Sequence, residues 1–447
     1  MLRAQRYLKP RVQFGRKRHP ITKNRVVFAL VLRMKASRKK SIGAILGRDP
    51  VHPFPARMAP DIALDAIASA TGQLRVFDPM MGSGTVLAVA RSQGHRAAGT
   101  DLDPLAVLIA RVWTTAVDPD EVKDKAEEVL ARARVMFARM TSAQAYPLNA
   151  DDETRKFVTY WFDAYARRQL AALALAIHRV RDEIVRDALW CSFSRLIITK
   201  QAGASLALDL AHSRPHRYFE YAPTKPFNQF PIMVERVVQN CISRCDRQRG
   251  PAAFPREGDA RATELASASV DLVVTSPPYL NAIDYLRCSK FSLVWMGYSV
   301  RDLGKLRTRS VGSEAGMGGS YDAGDVMTII DSLGLRKRMP IRQQAMLARY
   351  VSDMHDAVAE VGRVLVPGGS AIYVVGENTV RGTYVRNSAI VTAVADLSGL
   401  ALKERRVRVL PDNRRYLPPP TQRGTSDRGL HSRMRREVVL TFRRRAA

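Results

Sequence analysis

The 447-residue chain has only four cysteines, no acidic residue in its first 48 positions and no apolar run long enough to cross a bilayer. Few cysteines without a secretory signal exclude a disulfide-built secreted domain and indicate a reducing compartment. The apolar run from Val26 to Leu32 is far shorter than the ~20 residues that a membrane helix needs. The composition therefore predicts a soluble, cytoplasmic protein without a membrane partner.

Positive charge is abundant but unevenly distributed. The formal net charge is +29, of which residues 1–48 contribute +15 and residues 401–447 contribute +10. Such blocks occur as solvated, disordered ends, but they also suit a polyanionic partner. The first 33 residues fit a transit peptide, a DNA-binding arm, or translation begun upstream of a true start at Met34.

A glycine turn, FDPMMGSGT at 77–85, follows a predicted buried strand and precedes a predicted helix. Gly82 and Gly84 give the backbone room to turn against a ligand, although glycine pairs also end strands for purely structural reasons. A second strand over 96–100 ends in Asp101, where a doubly wound sheet places the acid that binds ribose hydroxyls. The pattern predicts an adenosine-type cofactor, with nicotinamide and S-adenosylmethionine both open.

A predicted proline turn favours S-adenosylmethionine over nicotinamide as the cofactor. The predicted strand in VDLVVTSPPYL, at 270–280, ends directly at Ser276. The hydroxyl of Ser276 and the carbonyl of Pro277 can each accept one hydrogen of a base amino group, and Tyr279 can stack on the base. The prolines fix this arrangement. A paired base cannot reach such a pocket, so the chemistry requires a base rotated out of the helix.

These motifs resemble the amino-directed DNA methyltransferases. TSPPY after VDLVV, with DPMMGSGT and TDLDP upstream, is similar to the cytosine-N4 branch more than to the adenine-N6 branch. The resemblance implies a Rossmann-like, doubly wound and mostly parallel sheet with a C-terminal antiparallel hairpin and a mainly helical insertion. It also implies S-adenosyl-L-methionine as cofactor, double-stranded DNA with a flipped base as substrate, a nucleoid-associated location and a restriction endonuclease as a possible partner.

Site residues follow from the same resemblance, position by position. The catalytic turn comprises Ser276, Pro277, Pro278 and Tyr279. HPFPARMAP at 52–60 resembles the segment beside the methionine end of the cofactor, and GDAR at 258–261 resembles the segment that reaches the adenine. The implied cofactor-binding residues are Arg57, Asp78, Gly82, Gly84, Thr85, Asp101 for the ribose and Asp259 for the adenine amino group.

The chain divides into four predicted regions. They are a basic arm over 1–50, a cofactor-binding half over 51–115, a mainly helical insertion over 116–250, and a catalytic half with a basic C-terminal hairpin over 251–447. Helical periodicity covers 120–140 and 153–186. The segment 192–230 mixes basic and aromatic residues, which suits either a DNA-contacting loop or a packing loop. Its candidate DNA contacts are Arg195, Lys200, Arg214 and Arg217.

Two histidines and two cysteines offer an alternative zinc site. His212 and His216 are spaced H-x3-H, and Cys241 and Cys245 are spaced C-x3-C. Cys241 also fits an apolar helix face, so we predict no metal. Cys191 and Cys288 are predicted to be buried thiols.

Three other functions remain open at this point. Adenine-N6 methylation differs from the cytosine reaction only in the target base. RNA methylation would use the same sheet and a similar proline turn. A basic DNA-binding protein with an inactive methyltransferase fold would lack catalysis but keep the charged ends.

Overall fold

The computed structural model describes residues 41–54, 57–68, 70, 72–211, 215–244, 250–280, 286–313, 323–380, 382–410 and 436–446. Eleven strands are present in these ranges: β1 (Arg75–Asp78), β2 (Arg96–Asp101), β3 (Ala116–Val117), β4 (Ile242–Ser243), β5 (Ala253–Glu257), β6 (Val270–Thr275), β7 (Leu365–Gly376), β8 (Asn378–Val380), β9 (Thr383–Val385), β10 (Leu400–Val409) and β11 (Arg436–Arg444).

Fourteen α-helices lie in the same ranges. They are α1 (Ile42–Leu46), α2 (Pro60–Ile67), α3 (Thr85–Ser92), α4 (Pro104–Thr114), α5 (Pro119–Arg139), α6 (Asp152–Trp161), α7 (Ala164–Ile177), α8 (Glu183–Ile197), α9 (Pro226–Val238), α10 (Leu286–Leu293), α11 (Val300–Arg309), α12 (Ala323–Ser332), α13 (Ile341–Val364) and α14 (Asn387–Leu397). Short 3-10 turns cover Val294–Met296 and Arg336–Arg338.

Seven strands form one sheet in the order β10-β11-β7-β6-β1-β2-β5. The pairs from β7 to β5 are parallel, and β11 runs antiparallel to both β7 and β10. The chain leaves β1 towards β2 on one side and later returns to β6 on the other, so the switch point of the sheet lies between β1 and β6. The predicted doubly wound sheet with a C-terminal antiparallel hairpin is confirmed.

Aspartate caps determine where five successive helices begin. Each side chain accepts a hydrogen bond from an amide of the first helical turn, which satisfies a donor that the helix itself cannot pair. The capping residues of α4 to α8 are Asp103, Asp118, Asp151, Asp163 and Asp182. Proline follows the first two of these aspartates and fits the first helical position without losing a bond.

The insertion between α4 and β5 is mainly helical, but its helices are shorter than periodicity indicates. The predicted stretch 153–186 is divided into α6, α7 and the start of α8. The breaks fall where Asp163 and Asp182 start new helices. These helices share a core with α4 and α10, in which Trp113, Phe193 and Trp295 are fully buried.

Both faces of the sheet are covered. One face packs against a cluster that includes Tyr350, Val358 and Val391 of the helices around β7. The other packs against Ala63, Val86 and other residues of α2 and α3. In the described ranges, no helix combines the length and apolar character needed to cross a membrane. The domain boundaries given above remain predictions.

Candidate functional site

The two sequence motifs meet at the switch point. β1 and β6 are paired in register, with Phe77 opposite Val273. At the carboxyl ends of these strands, the hydroxyl of Thr275 donates a 2.7 Å hydrogen bond to Oδ1 of Asp78. Both side chains are buried. The glycine turn and the proline turn therefore leave the sheet side by side, joined by a direct hydrogen bond.

The glycine turn is held by the acid that follows β2. The amide of Gly82 donates to Oδ2 of Asp101 at 2.8 Å, and the amide of Asp103 donates to Oδ1 at 2.9 Å. Each carboxylate oxygen keeps a further lone pair for a ribose hydroxyl. Gly82 has a positive φ of 49°, and a Cβ there would stand 3.2 Å from the ring of Phe54. A side chain at this position would thus both strain the turn and crowd its ligand side.

Gly84 serves the packing of two helices. It precedes α3 with a φ of 81°, and a Cβ there would lie 2.8 Å from Cβ of Ala110 in α4. Thr85 is the first residue of α3 and is buried. The amides of this first helical turn point toward the carboxyl edge of the sheet, where they form a place for polar ligand groups.

Three carboxyl groups lie around this turn, of which those of Asp78 and Asp103 are buried and that of Asp101 is half-buried. Burial raises the pKa of Asp78 to about 7, against the hydrogen bonds from Thr275 and the amide of Met80. Burial likewise raises the pKa of Asp103 to about 7, although Ser289 donates to it at 2.5 Å. The pKa of Asp101 is also raised by burial, and its backbone hydrogen bonds oppose the shift. A hydrogen-bond donor or a positive charge bound among these three carboxyl groups would favour their ionised forms.

Arg57 ties the segment 52–60 to the glycine turn. Its Nε donates to Oγ of Ser83 at 3.2 Å, and its Nη2 donates to the carbonyl of His52. His52 is buried, and its Nε2 lies 2.9 Å from Oγ of Ser194. Burial lowers the pKa of His52 well below its ordinary value, with help from the charges of Arg195 and Arg57. The neutral imidazole thus anchors this segment against α8.

Asp259 lies just past β5, beside the end of β2. The amide of Gly258 donates to the carbonyl of Asp101 at 3.1 Å. Arg261 grips Asp259 through Nε at 2.9 Å and Nη2 at 2.7 Å, and its own amide adds a bond of 3.1 Å. Burial works against the charge of Asp259, but the bonds from Arg261 prevail and lower its pKa. The acid is ionised and held in one orientation. Its Oδ2 also lies 3.8 Å from Nη2 of Arg309, beyond hydrogen-bond distance, and keeps one acceptor position.

The proline turn presents its polar groups in a defined direction. The hydroxyl of Ser276 donates to the carbonyl of Val374 in β7 at 3.0 Å. Because its proton is used there, the Ser276 oxygen can offer its lone pairs to another donor. Pro277 is buried, and Pro278 and Tyr279 are half-buried. Tyr279 packs against the cluster of buried residues beneath the turn.

Three residues that the sequence did not point to form hydrogen bonds with the backbone of the proline turn. The hydroxyl of the fully buried Tyr350 in α13 donates to the carbonyl of Pro278 at 3.1 Å. Asn387 accepts from the amide of Leu280 at 3.4 Å, and Asn378 donates to the carbonyl of Leu280. Asn378 follows the buried end of β7, so a polar residue after an apolar strand was an available signal. Tyr350 lies within a long helix and gave none.

The same helix supports the cofactor side. Nη1 of Arg261 contacts Oδ1 of Asp353 at 2.5 Å, and Oδ2 of Asp353 accepts from the amide of Gly312 at 3.2 Å. Asp353 follows Tyr350 by one helical turn, so both project from the same side of α13. One helix thus positions both the proline turn and the acid expected at the adenine.

The predicted DNA contacts of the insertion lie in different surroundings. Arg195 is half-buried and donates to the carbonyl of Val51 at 2.7 Å, which gives it an internal structural contact. Lys200 is exposed. Arg217 is exposed and lies 5.5 Å from the ring centroid of Tyr160. Arg214 falls outside the described residues.

The cysteines are only partly as predicted. Cys191 and Cys241 are buried, whereas Cys288 is half-buried, which corrects the expectation of a buried thiol there. Burial raises the pKa of Cys241 to about 12, and its thiol lies 3.7 Å from the carbonyl of Val112. His216 is exposed. His212 and Cys245 fall outside the described residues, so the zinc alternative is not tested.

The acidic residues at the carboxyl ends of β1, β2 and β5 fit S-adenosyl-L-methionine. Asp101 retains acceptor positions for two ribose hydroxyls, Asp259 retains one for an adenine amino group, and the carboxyl of Asp78 lies beside the proline turn. The strand order and the glycine turn at the switch point together define a Rossmann-like methyltransferase fold.

The chain is similar over most of its length to a type II methyltransferase. Type II methyltransferase M.MvaI from Kocuria varians is 21% identical over 421 residues, which covers 88% of this chain and 90% of that protein. No family model matches the chain.

Solved structures show weaker likeness. TTHA0409 of Thermus thermophilus, described as a candidate DNA modification methylase and complexed with S-adenosyl-L-methionine, is 20% identical, with 42% of this chain matched to 52% of that one at a TM-score of 0.21. A TehB-like SAM-dependent methyltransferase from Corynebacterium glutamicum is 11% identical, with 86% matched to 87% at 0.28. Scores this low add nothing to the fold, which the strand order establishes by itself.

Proposed function

We propose that the protein is an S-adenosyl-L-methionine-dependent DNA methyltransferase that methylates the exocyclic N4 amino group of cytosine after base flipping. The observation that carries the proposal is the buried hydrogen bond between Thr275 and Asp78, which joins the cofactor turn to the proline turn. The similarity to M.MvaI over nine-tenths of that protein supports DNA as the substrate and is consistent with a companion restriction endonuclease.

Ser276 and Pro277 prepare the amino group of the target base. Its nitrogen is a poor nucleophile because its lone pair is delocalised into the ring. An acceptor on each amino hydrogen draws the nitrogen towards tetrahedral geometry and localises that lone pair. The Ser276 hydroxyl is committed to Val374 as a donor, so its oxygen acts as one acceptor. We assign the second to the Pro277 carbonyl.

Tyr279 and its surroundings hold the base in place. Stacking of the base on an aromatic ring contributes on the order of 1–3 kcal/mol. Tyr350 and the two asparagines fix the backbone on either side of Tyr279, which reduces the freedom lost when the base binds. S-adenosyl-L-methionine supplies an electrophilic methyl group. The nitrogen releases its proton to solvent after becoming cationic, so no strong general base is required.

The first prediction tests this assignment directly. The protein is incubated with unmethylated plasmid DNA and isotope-labelled cofactor, and the DNA is digested to nucleosides for mass spectrometry. We expect the label on cytosine N4. Ser276→Ala should reduce incorporation by roughly a hundredfold or more, because one of two acceptors is lost from the reacting nitrogen. Tyr279→Ala should lower it by on the order of tenfold or more.

Matched variants separate chemistry from folding. Tyr279→Phe keeps the ring and should retain most activity. Ser332→Ala removes a hydroxyl that donates within α12 and should leave activity unchanged. Label on adenine N6 would replace cytosine as the target while keeping the same mechanism. Preferential labelling of structured RNA would reject the DNA assignment, and cofactor binding without any transfer would indicate an inactive fold.

A further inference from the structure

A small hairpin stands directly beside the proline turn. β8 and β9 pair antiparallel immediately after β7, with Thr379 opposite Tyr384. One face of the hairpin is fixed in the core, since Val380 and Val385 are buried. Asn378 at its base donates to the carbonyl of Leu280, the residue after Tyr279. The hairpin therefore has a fixed position relative to the place expected for the target base.

The outward face of this hairpin carries an exposed aromatic ring. Tyr384 is 54% exposed. Thr383 beside it donates to the carbonyl of Arg338 at 2.7 Å, which fixes the second strand from its other side. A large ring on a rigid support, open to solvent next to a catalytic edge, does not contribute to the core.

Three arginines lie in or beside the strands at this end of the sheet. Arg386 directly follows β9, and Arg436 begins β11 at the same end of the sheet, where its neighbour Glu437 lies opposite Gly376. Arg386, Arg405 and Arg436 are exposed, and within the described residues none of them forms an ion pair. Arg405 lies in β10 opposite Leu440 of β11, the strand that Arg436 begins. Burial and Glu377 raise the pKa of Tyr384, and the charges of these three arginines oppose that shift.

We propose that Tyr384 enters the duplex at the space left by the flipped base, while Arg386, Arg405 and Arg436 contact the flanking phosphates. This inference rests on the proposed function, because it requires a flipped base in the adjacent pocket. Removing a base from the stack leaves its neighbours without a stacking partner, and an aromatic ring replaces that contact. Phosphate contacts orient the duplex over the pocket.

The ring is tested with paired and mismatched DNA of the same sequence. One substrate is a fully paired plasmid fragment, and the other is a heteroduplex pool annealed from error-prone copies of it. Tyr384→Ala should lower kcat/KM on paired DNA by roughly 5- to 150-fold. The loss should be much smaller at mismatched cytosines, because a mismatched base is easier to extrude. Tyr384→Phe should behave like the wild type.

A variant on the facing strand controls for hairpin stability. Thr379→Ala removes the cross-strand partner of Tyr384 but keeps the ring, and we expect it to retain activity. Equal losses on paired and mismatched DNA, or a loss with Thr379→Ala that matches Tyr384→Ala, would overturn the role of the ring. A wild-type protein that transfers no methyl group at all would instead reject the proposed function.

The arginines are tested through the salt dependence of binding to the paired fragment. Removal of one phosphate contact should reduce the slope of log affinity against log salt by about 0.9. We expect this for Arg405→Gln and Arg436→Gln. Arg96→Gln is the matched control, because Arg96 is also exposed but begins β2 at the opposite end of the sheet. Slopes equal to that of the control, or an effect seen only with structured RNA, would overturn the surface as a duplex contact.

Discussion

At the scale of single residues, Asp78 shows that one carboxyl group at the switch point must be both hydrogen-bonded and buried. Its carboxyl must accept hydrogen bonds from Thr275 and from the amide of Met80, yet it is buried beside a second acid, Asp101. Burial is the largest influence and raises its pKa to about 7. A group protonated more readily in the folded than in the unfolded state stabilises the fold at low pH and loses that contribution as pH rises.

The pH dependence of stability should therefore change in Asp78→Asn. In the wild type, the contribution of Asp78 is fully present below the ordinary aspartate pKa of 3.8, which holds in the unfolded chain, and is lost as pH rises through about 7. The variant lacks this titration, so its stability relative to the wild type should improve between pH 4 and 8 by on the order of 4 kcal/mol. Urea unfolding across this range measures the difference.

An exposed aspartate provides the comparison. Asp65→Asn, on the solvent side of α2, should give a curve parallel to that of the wild type. Parallel curves for Asp78→Asn as well would contradict the raised pKa. The sequence predicted Asp101 at the cofactor turn from the strand that it ends, and the family resemblance implied Asp78 there. It could not predict the bond from Thr275, since that bond depends on the register between two strands far apart in the chain.

At the scale of elements, α13 connects the two halves of the site. Tyr350 holds the Pro278 carbonyl, and one turn later Asp353 holds Arg261, which in turn grips Asp259. Helical periodicity alone does not reveal which polar residues of such a helix face a site. Likewise, periodicity indicated helical structure over 153–186 but did not show that aspartate caps divide this stretch into separate helices.

Two substitutions in α13 should therefore have separable effects. Tyr350→Phe removes the hydroxyl that supports the proline turn, and kcat should fall roughly threefold to tenfold with cofactor Kd unchanged. Asp353→Asn weakens the hold on Arg261, so cofactor Kd should rise about tenfold while kcat at saturating cofactor changes little. Calorimetry gives the Kd, and labelled methyl transfer gives kcat.

Each of these two substitutions has a control variant at a comparable position. Tyr373→Phe alters a tyrosine that is just as buried, whose hydroxyl has no hydrogen-bond partner in the described part of the chain. Asp331→Asn alters an aspartate of α12 that pairs with the exposed Arg336. Neither should affect catalysis or cofactor binding. If Tyr350→Phe and Asp353→Asn changed kcat and Kd together, α13 would be a structural helix without separate contacts to the two sites.

At the scale of the whole molecule, the sheet places the residues of the candidate site along one edge. The carboxyl ends of β5, β2, β1, β6 and β7 carry in turn Asp259, Asp101, Asp78, Ser276 and Asn378. Four of these five were predicted from the sequence: Asp101 and Ser276 because they follow predicted strands, and Asp78 and Asp259 because the segments around them resemble those of the methyltransferase family. The supports from Tyr350, Arg261 and Asn387 were not, because their contacts join segments that only the fold brings together.

Charge at the molecular scale leads to the last prediction. Ten Lys or Arg residues and no acidic residue lie in the first 33 positions. If about six phosphates are contacted, DNA affinity should fall by on the order of a thousandfold between 50 and 200 mM salt. A variant starting at Met34 should bind more weakly at low salt and show a shallower slope, while its cofactor Kd stays unchanged. Fluorescence anisotropy with a labelled duplex measures both slopes, and identical slopes would show that the basic N-terminal segment does not contact DNA.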